Sequence, residues 1–147
     1  MAFMRHKGAV LVVDDSPEIR KYFQTLLELN SYTVKTANDG MEALELLLQG
    51  FTPEIVLLDI DMPELDGLAT LERIRMIRPE QKVIMCSGQA DPWYAHRALA
   101  LGAEAYLVKP VRHLYLTAAL ERCLTPARKL QHTAQSTVIP FRVSRTC

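Results

Sequence analysis

Apolar residues occur along this chain in short runs separated by longer amphipathic segments. Five runs have the length of a β-strand, at residues 9–13, 32–36, 55–58, 82–86 and 105–108. Between them, apolar residues recur every three or four positions, which places them on one face of a helix. Two strands never follow each other directly, so each is joined to the next by a crossover helix. The pattern predicts an α/β domain with a doubly wound, five-stranded parallel sheet.

Residues typical of helix ends support this division of the chain. Ser16 and Asp91 each precede a proline, the combination of an N-cap and a first helical residue. Gly50 and Gly102 follow two of the amphipathic segments and are suited to a left-handed helix stop. These signals agree with the hydrophobic pattern, and that agreement strengthens the prediction of five strand–helix units.

The third apolar run leads a carboxylate directly into a loop. Residues 55–58 are all apolar, which indicates a strand buried on both faces, and Asp59 follows them. Pro63 then prevents simple continuation of the strand. Asp59 is therefore expected at the carboxyl end of a central strand, where open α/β sheets bind their ligands. Taken alone, Asp59 is equally well explained as an exposed residue at a strand end.

Composition and charge narrow the function classes. All 17 acidic residues lie in residues 1–124, whereas four of the 17 Lys and Arg residues lie beyond them, so residues 1–124 carry a net charge of −4. We predict one globular domain at residues 1–124 and a basic, flexible tail or linker at residues 125–147. The three cysteines form no disulfide framework or zinc motif. Without a basic folded face, a membrane-spanning run or a signal peptide, we expect a cytoplasmic protein that binds neither nucleic acid nor membrane.

Polar residues follow four of the predicted strands. Parallel strands bring their carboxyl ends to one edge of the sheet, so these side chains should meet there. They are Asp14 and Asp15 after the first strand, Asp59 after the third, Ser87 after the fourth and Lys109 after the fifth. Three neighbouring carboxylates repel one another unless a cation or bound protons neutralise them. Oxygen ligands point to Mg²⁺, and a lysine and a hydroxyl beside them are suited to holding a phosphoryl group.

This set of residues resembles the receiver domain of two-component response regulators, over about residues 7–124. The resemblance is carried by the acidic pair Asp14-Asp15, the segment LLDIDMPELDG with Asp59, Pro63 and Gly67, and then Ser87, Tyr106 and Lys109-Pro110. It implies a flavodoxin-like (βα)5 fold, a sandwich of three layers. It also implies a phosphorylation-activated signalling switch of a two-component system, which is a regulatory domain and no enzyme.

The resemblance assigns roles in phosphoryl transfer. Asp59 would accept the phosphoryl group from a histidine kinase or a phosphotransfer protein, and Lys109 and Ser87 would contact the phosphoryl oxygens. Tyr106 would move inward when Ser87 shifts toward the phosphate, so that these two residues act as the switch. The surface of the fourth helix, fifth strand and fifth helix would change as a result. Tyr106 is also open to a simpler interpretation as a packed aromatic residue.

The resemblance also implies a metal site. Asp15 and Asp59 would bind Mg²⁺ directly, together with the main-chain carbonyl of Asp61, and Asp14 would hold a water of the ion. Asp61 and Gln89 occupy positions that tune the lifetime of the phosphate in this family. Our hypothesis is that Gln89 orients the hydrolytic water and Asp61 modestly disfavours phosphate or metal. Solvated loop side chains are an equally good explanation of both residues.

Several alternatives stay open at this point. Asp59-Ile60-Asp61 also has the D-x-D form of a haloacid-dehalogenase-like phosphohydrolase, and a pseudo-receiver would bind partners without phosphate. Trp93 and Tyr94 at the start of the fourth helix form either a partner-binding anchor or a pair with one buried member. The signal would pass to a downstream protein target, to a missing output domain, or into a phosphorylation-dependent homodimer.

Overall fold

A computed structural model describes residues 6–125, which form five strands and five helices in strict alternation. The strands are β1 (Gly8–Val13), β2 (Tyr32–Ala37), β3 (Ile55–Asp59), β4 (Lys82–Ser87) and β5 (Ala105–Val108). The helices are α1 (Pro17–Leu29), α2 (Gly40–Leu48), α3 (Gly67–Ile77), α4 (Pro92–Ala100) and α5 (His113–Cys123). The five strand–helix units predicted from the hydrophobic pattern are confirmed.

The strands form one parallel sheet in the order β2-β1-β3-β4-β5. This is the doubly wound, flavodoxin-like arrangement that the sequence predicted. The strand order itself could not be read from periodicity. The chain winds outward from β1 to β2, then crosses back to β3 and continues toward the other edge. The reversal lies between β1 and β3, and a doubly wound sheet has its ligand crevice at such a point.

Alternate residues of each central strand pack against different helix layers. Leu11 and Val56 point toward one apolar cluster, which also contains buried apolar side chains of α2, α3 and α4. Val10 and Leu57 point toward the other, which contains those of α1 and α5. All five residues of β3 are buried, so this strand can be apolar on both faces. The two layers place β3, and hence its carboxyl end, in the middle of the domain.

Side chains predicted to cap helices do so. Ser16 accepts a hydrogen bond from the Ile19 amide at 3.3 Å, and Asp91 accepts one from the Trp93 amide at 2.9 Å. Gly50 has a φ of 106°, the left-handed conformation expected where α2 stops. Helix ends in this domain therefore follow from local sequence.

The ends of the chain lie beyond this description. The predicted basic tail at residues 125–147 falls, apart from Thr125, outside the described residues, and the domain boundary stays a prediction. Within residues 6–125, every helix is too short or too polar to span a lipid bilayer.

Candidate functional site

The site lies at the carboxyl ends of β1 and β3, on either side of the point where the winding reverses. Val13 and Leu58 are partners in the sheet register, so the residues that follow them, Asp14 and Asp59, are brought side by side. Both side chains are buried, with 2% and 3% of their surfaces exposed. Burial of two neighbouring acids is costly unless other groups compensate for it, and it therefore indicates a specific role.

Three of the predicted acids form one cluster. Carboxylate oxygens of Asp14, Asp15 and Asp59 all lie within 4.8 Å of one another, with Asp15 exposed beside the two buried residues. A set of oxygen donors with three formal negative charges fits a hard divalent cation such as Mg²⁺. The carboxylate of Asp61 is not part of this cluster. It lies beyond β3, and its hydrogen bonds are made elsewhere.

Lys109 supplies the positive charge at the site. Its Nζ donates to Oδ2 of Asp14 at 2.6 Å and lies 3.2 Å from Oδ1 of Asp59. Burial alone would lower the pKa of the Lys109 ammonium, but the hydrogen bond to Asp14 and the charges of both acids outweigh burial and raise the pKa. Lys109 is therefore held as a cation between the two buried carboxylates, and its main-chain amide is fixed by the Ser87 carbonyl at 2.7 Å.

Asp59 has an unusual pKa. Burial is the largest cause and raises it from the ordinary 3.8 to about 6; the charge of Lys109 lowers it and the charge of Asp14 raises it. The main-chain amide of Asp61 also donates to Asp59 Oδ1 at 3.3 Å. The carboxylate is thus poorly compensated in the metal-free protein, so a further cation or a proton would stabilise it.

Asp61, Ser87, Gln89 and Tyr106 form a hydrogen-bonded group beside Asp59. The Ser87 hydroxyl donates to Asp61 Oδ2 at 3.1 Å and accepts from the Gln89 amide at 2.9 Å. The Gln89 side chain donates to Asp61 Oδ1 at 3.1 Å, and the Gln89 main-chain carbonyl accepts the Tyr106 hydroxyl at 2.5 Å. Tyr106 is buried, with its ring directed into the domain. Asp61 and Gln89 are therefore hydrogen-bonded to each other and to Ser87, although Asp61 is exposed and Gln89 is only partly buried.

Two features of the site were not found from sequence. A Cβ atom on Gly67 would lie 2.1 Å from the Asp59 carbonyl oxygen, so only glycine allows α3 to begin against the backbone of the acidic residue. The spacing of Gly67 from Asp59 was noted as part of the resemblance, without this reason. Arg20 donates to the Asp14 main-chain carbonyl at 2.7 Å. No sequence signal marked Arg20, because arginines in the first turns of helices commonly face water.

The aromatic pair on α4 divides between core and surface. Tyr94 is half-buried against the apolar cluster, and 55% of the surface of Trp93 is exposed. Their rings meet edge to face, with centroids 4.9 Å apart. Cys86, immediately before Ser87, is buried, and burial raises the pKa of its thiol, which agrees with a small apolar role.

Comparison with known proteins gives a consistent assignment. The model of the response regulator receiver domain family matches residues 10–121. A probable transcriptional regulator, ycf27, of Guillardia theta is 38% identical over 92% of this chain and 54% of its own length. A protein-glutamate methylesterase/protein-glutamine glutaminase of Symbiobacterium thermophilum is 46% identical over 69% of this chain and 28% of its own length. The chain thus spans about half, or less, of these curated relatives.

Solved structures agree with the family match. A response regulator receiver domain protein of Clostridium thermocellum superposes with a TM-score of 0.77 and 32% identity, covering 83% of this chain and 98% of that one. The residues matched by the family model cover nearly all of the described fold, and they include the acidic cluster and its lysine. The chain belongs to the response regulator receiver domain family, the phosphoacceptor domains of two-component signalling.

Proposed function

We propose that Asp59 is the phosphoacceptor of this receiver domain and that Lys109 and Ser87 act on the transferred group. The observation that carries the proposal is the Lys109 ammonium 3.2 Å from the buried Asp59 carboxylate, within the three-acid cluster. Lys109 would neutralise charge that develops on the phosphoryl oxygens, and Ser87 would donate its hydroxyl to one of them. Transfer of a phosphoryl group needs little more from a protein than such positioning and charge compensation.

The reaction is a displacement at phosphorus. An Asp59 carboxylate oxygen bonds to phosphorus while the bond between phosphorus and the donor breaks. The donor atom is a nitrogen in phosphohistidine and an oxygen in acetyl phosphate, and it departs with the electron pair of the broken bond. Asp59 reacts as its anion, and with a pKa of about 6 it is largely ionised at neutral pH. A histidine kinase or a phosphotransfer protein is the expected donor.

Receiver domains bind Mg²⁺ at an acidic pocket, and the donors present here fit that ion. Asp15 and Asp59 would hold it together with the main-chain carbonyl of Asp61, while Asp14 keeps its contact with Lys109 and holds a water of the ion. When bound, Mg²⁺ supplies neutralisation of the negative charge shared by the carboxylates and the phosphoryl oxygens. The raised pKa of Asp59 supports this assignment, since a group so poorly compensated gains most from a cation.

The response to phosphorylation would pass through Ser87 and Tyr106. Both are buried, Ser87 at the end of β4 and Tyr106 within β5, and Gln89 connects them by hydrogen bonds. A shift of Ser87 toward a phosphoryl group would therefore alter the surroundings of the Tyr106 hydroxyl and the surface of α4, β5 and α5. A downstream protein, a further domain or a second copy of the chain would read that surface.

We infer a regulatory domain with no catalytic activity toward other substrates. A haloacid-dehalogenase-like phosphohydrolase would use Asp61 as an acid above its nucleophile. Here both carboxylate oxygens of Asp61 accept hydrogen bonds, from Ser87 and Gln89. A pseudo-receiver is disfavoured by the presence of the complete set of acids, hydroxyl and lysine.

Incubation with acetyl phosphate and Mg²⁺, followed by intact mass measurement, tests the proposal. We expect one added phosphoryl group per chain in the wild type and none in Asp59→Asn or after removal of Mg²⁺ by a chelator. Glu64→Gln, which changes an exposed acid in the loop after β3, is the matched control and should be labelled normally. Size-exclusion chromatography of the same samples would show whether a dimer forms with the phosphate.

Two results would contradict the proposal. Labelling that persists in Asp59→Asn would place the acceptor elsewhere, and continuous hydrolysis of a general phosphate ester such as p-nitrophenyl phosphate would favour the phosphohydrolase.

A further inference from the structure

The Asp61 carboxylate forms hydrogen bonds with the proposed switch residue Ser87 and with Gln89, rather than with the proposed acceptor Asp59. One of its oxygens accepts the Ser87 hydroxyl at 3.1 Å and the other accepts the Gln89 side-chain amide at 3.1 Å. Gln89 also donates its main-chain amide to Ser87 Oγ at 2.9 Å. Ser87, Asp61 and Gln89 therefore close a ring of three hydrogen bonds, which we call the Asp61 latch.

A serine hydroxyl has a single proton to donate. In the latch, that proton is used by Asp61, and a lone pair of Ser87 Oγ is used by the Gln89 amide. A hydrogen bond from Ser87 to a phosphoryl oxygen on Asp59 would need the same proton. The two acceptors compete, so phosphorylation cannot engage Ser87 until the bond to Asp61 is broken.

We propose that Asp61 is a positioning residue that holds Ser87 in the unphosphorylated arrangement and thereby opposes phosphoryl binding at Asp59. The inference rests on the proposed function of Asp59. It adds that Asp61 influences how readily phosphorylation of Asp59 shifts Ser87. The opposition acts through the Ser87 hydroxyl and not through charge alone. The Asp61 carboxylate is exposed to solvent, which weakens its hydrogen bonds, so we expect Asp61 to compete for the proton with the strength of one modest hydrogen bond.

The latch also reaches the ring of Tyr106. The Gln89 carbonyl accepts the Tyr106 hydroxyl at 2.5 Å, while the Gln89 side chain is held by Asp61. Release of Ser87 from Asp61 opens the ring, and a shift of Ser87 toward Asp59 would also stretch its bond to the Gln89 amide. Asp61 thus couples the state of the acceptor to the loop that Tyr106 contacts.

A double-mutant cycle with Asp61→Ala and Ser87→Ala tests this mechanism. The probe is beryllofluoride with Mg²⁺, a reversible mimic of the phosphoryl group on a carboxylate, and the readout is its apparent Kd by isothermal titration calorimetry. Asp61→Ala keeps the main-chain carbonyl implied as a metal ligand. We expect it to lower the apparent Kd about fivefold, the effect of one modest hydrogen bond. In the Ser87→Ala background, the same change should alter the Kd by less than about twofold.

Controls separate the possible outcomes. Glu64→Gln removes a charge from the same loop without touching Ser87 and should leave the Kd unchanged. If Asp61→Ala lowers the Kd equally in both backgrounds, Asp61 acts by charge repulsion and the latch is wrong. An unchanged or raised Kd in Asp61→Ala also overturns it. If the wild type binds no beryllofluoride and takes up no phosphate, the proposed function fails as well, whereas the other outcomes leave it standing. Thermal melts of all variants show that each is folded.

Discussion

The two ends of this sheet carry similar polar residues and use them in different ways. At the carboxyl end, Lys109 faces the buried acids Asp14 and Asp59. At the amino end, the side chain of Lys82 donates instead to the Cys123 main-chain carbonyl at 2.5 Å, and buried Gln81 donates to the Pro53 carbonyl at 3.1 Å.

This difference separates the edge of the proposed phosphoacceptor site from an edge where Lys82 and Gln81 bond to main-chain carbonyls. Main-chain carbonyls do not gain or lose protons, so the hydrogen bonds that Lys82 and Gln81 donate to them at the amino end do not depend on a change of protonation of the acceptor. Carboxylates can bind a proton, a metal or a phosphoryl group, and Asp59 has a raised pKa because its burial is incompletely compensated. Substitutions at the amino end should therefore change stability alone, whereas those at the carboxyl end should change chemistry.

The largest effect is expected for Lys109→Met. Loss of the ammonium beside Asp59 removes the fixed cation that would meet the phosphoryl oxygens, and the rate of labelling by acetyl phosphate should fall by about 100-fold. Intact mass measured over time gives the rate, and circular dichroism shows whether the variant is folded. A folded variant labelled at the wild-type rate would contradict the role of Lys109.

Gln81→Leu tests whether the polar residues at the amino end of the sheet contribute to stability. The substitution leaves buried carbonyls, including that of Pro53, without a donor, and the free energy of unfolding should fall by about 1–3 kcal/mol. Urea unfolding measures the change, and labelling of Asp59 should be unaffected under conditions where the variant is folded. A change in labelling rate without loss of stability would mean that the two ends are not independent.

Asp59→Asn should change the pH dependence of stability in Mg²⁺-free buffer. Between about pH 4 and pH 6 the folded wild type binds more protons at Asp59 than the unfolded chain does, because its pKa rises from 3.8 to about 6 on folding. The free energy of unfolding of the wild type should therefore fall as the pH rises through this window. Relative to Asp59→Asn, we expect a loss of about 1–2 kcal/mol, reduced from the full linkage value by solvent screening.

Urea unfolding of both proteins across this pH range measures the difference directly. Acids distant from Asp59 titrate in the same window in both proteins, so their contributions cancel in the comparison. A difference that is independent of pH would show that Asp59 has an ordinary pKa. Added Mg²⁺ should reduce the loss of unfolding free energy that the wild type shows as the pH rises, since a cation compensates the same carboxylate.

Lys82→Met is expected to have the smallest effect. It is matched to Lys109→Met in chemistry but removes only a hydrogen bond to the Cys123 carbonyl, so unfolding should become easier by about 1 kcal/mol and labelling should not change. Thermal unfolding and the same labelling assay provide the measurement. Slower labelling in Lys82→Met would contradict the expectation that substitutions at the amino end of the sheet affect stability and not phosphorylation.

Much of the fold follows from local sequence. The apolar residues 55–58 indicated a strand covered on both faces, which the structure confirms. Ser16, Asp91 and Gly50 mark helix ends through bonds and dihedral angles set by their immediate neighbours. Parallel connection by helices then places the ends of all strands with their polar residues on one edge. For that reason the gathering of Asp14, Asp59, Ser87 and Lys109 could be predicted without coordinates.

Other features depend on distances between residues far apart in the chain. The strand order follows from how the helix layers cover the sheet, and periodicity along the chain carries no information about it. Asp61 illustrates the same limit, because its position two residues after Asp59 indicated a role near phosphate or metal. Its bonds to Ser87 and Gln89, 26 and 28 residues away, depend on how the loops after β3 and β4 meet.

The sequence by itself determined the five strand–helix units, the edge of the sheet where the candidate site lies and the residue types that meet there. Each of these depends on local pattern and on the parallel connection of strands. Tertiary structure decided which atoms touch. Packing of both helix layers buries Asp59 enough to raise its pKa, brings Gly67 against its carbonyl and closes the Asp61 latch. Burial and hydrogen-bond geometry are properties of the folded whole, so no residue pattern could have supplied them.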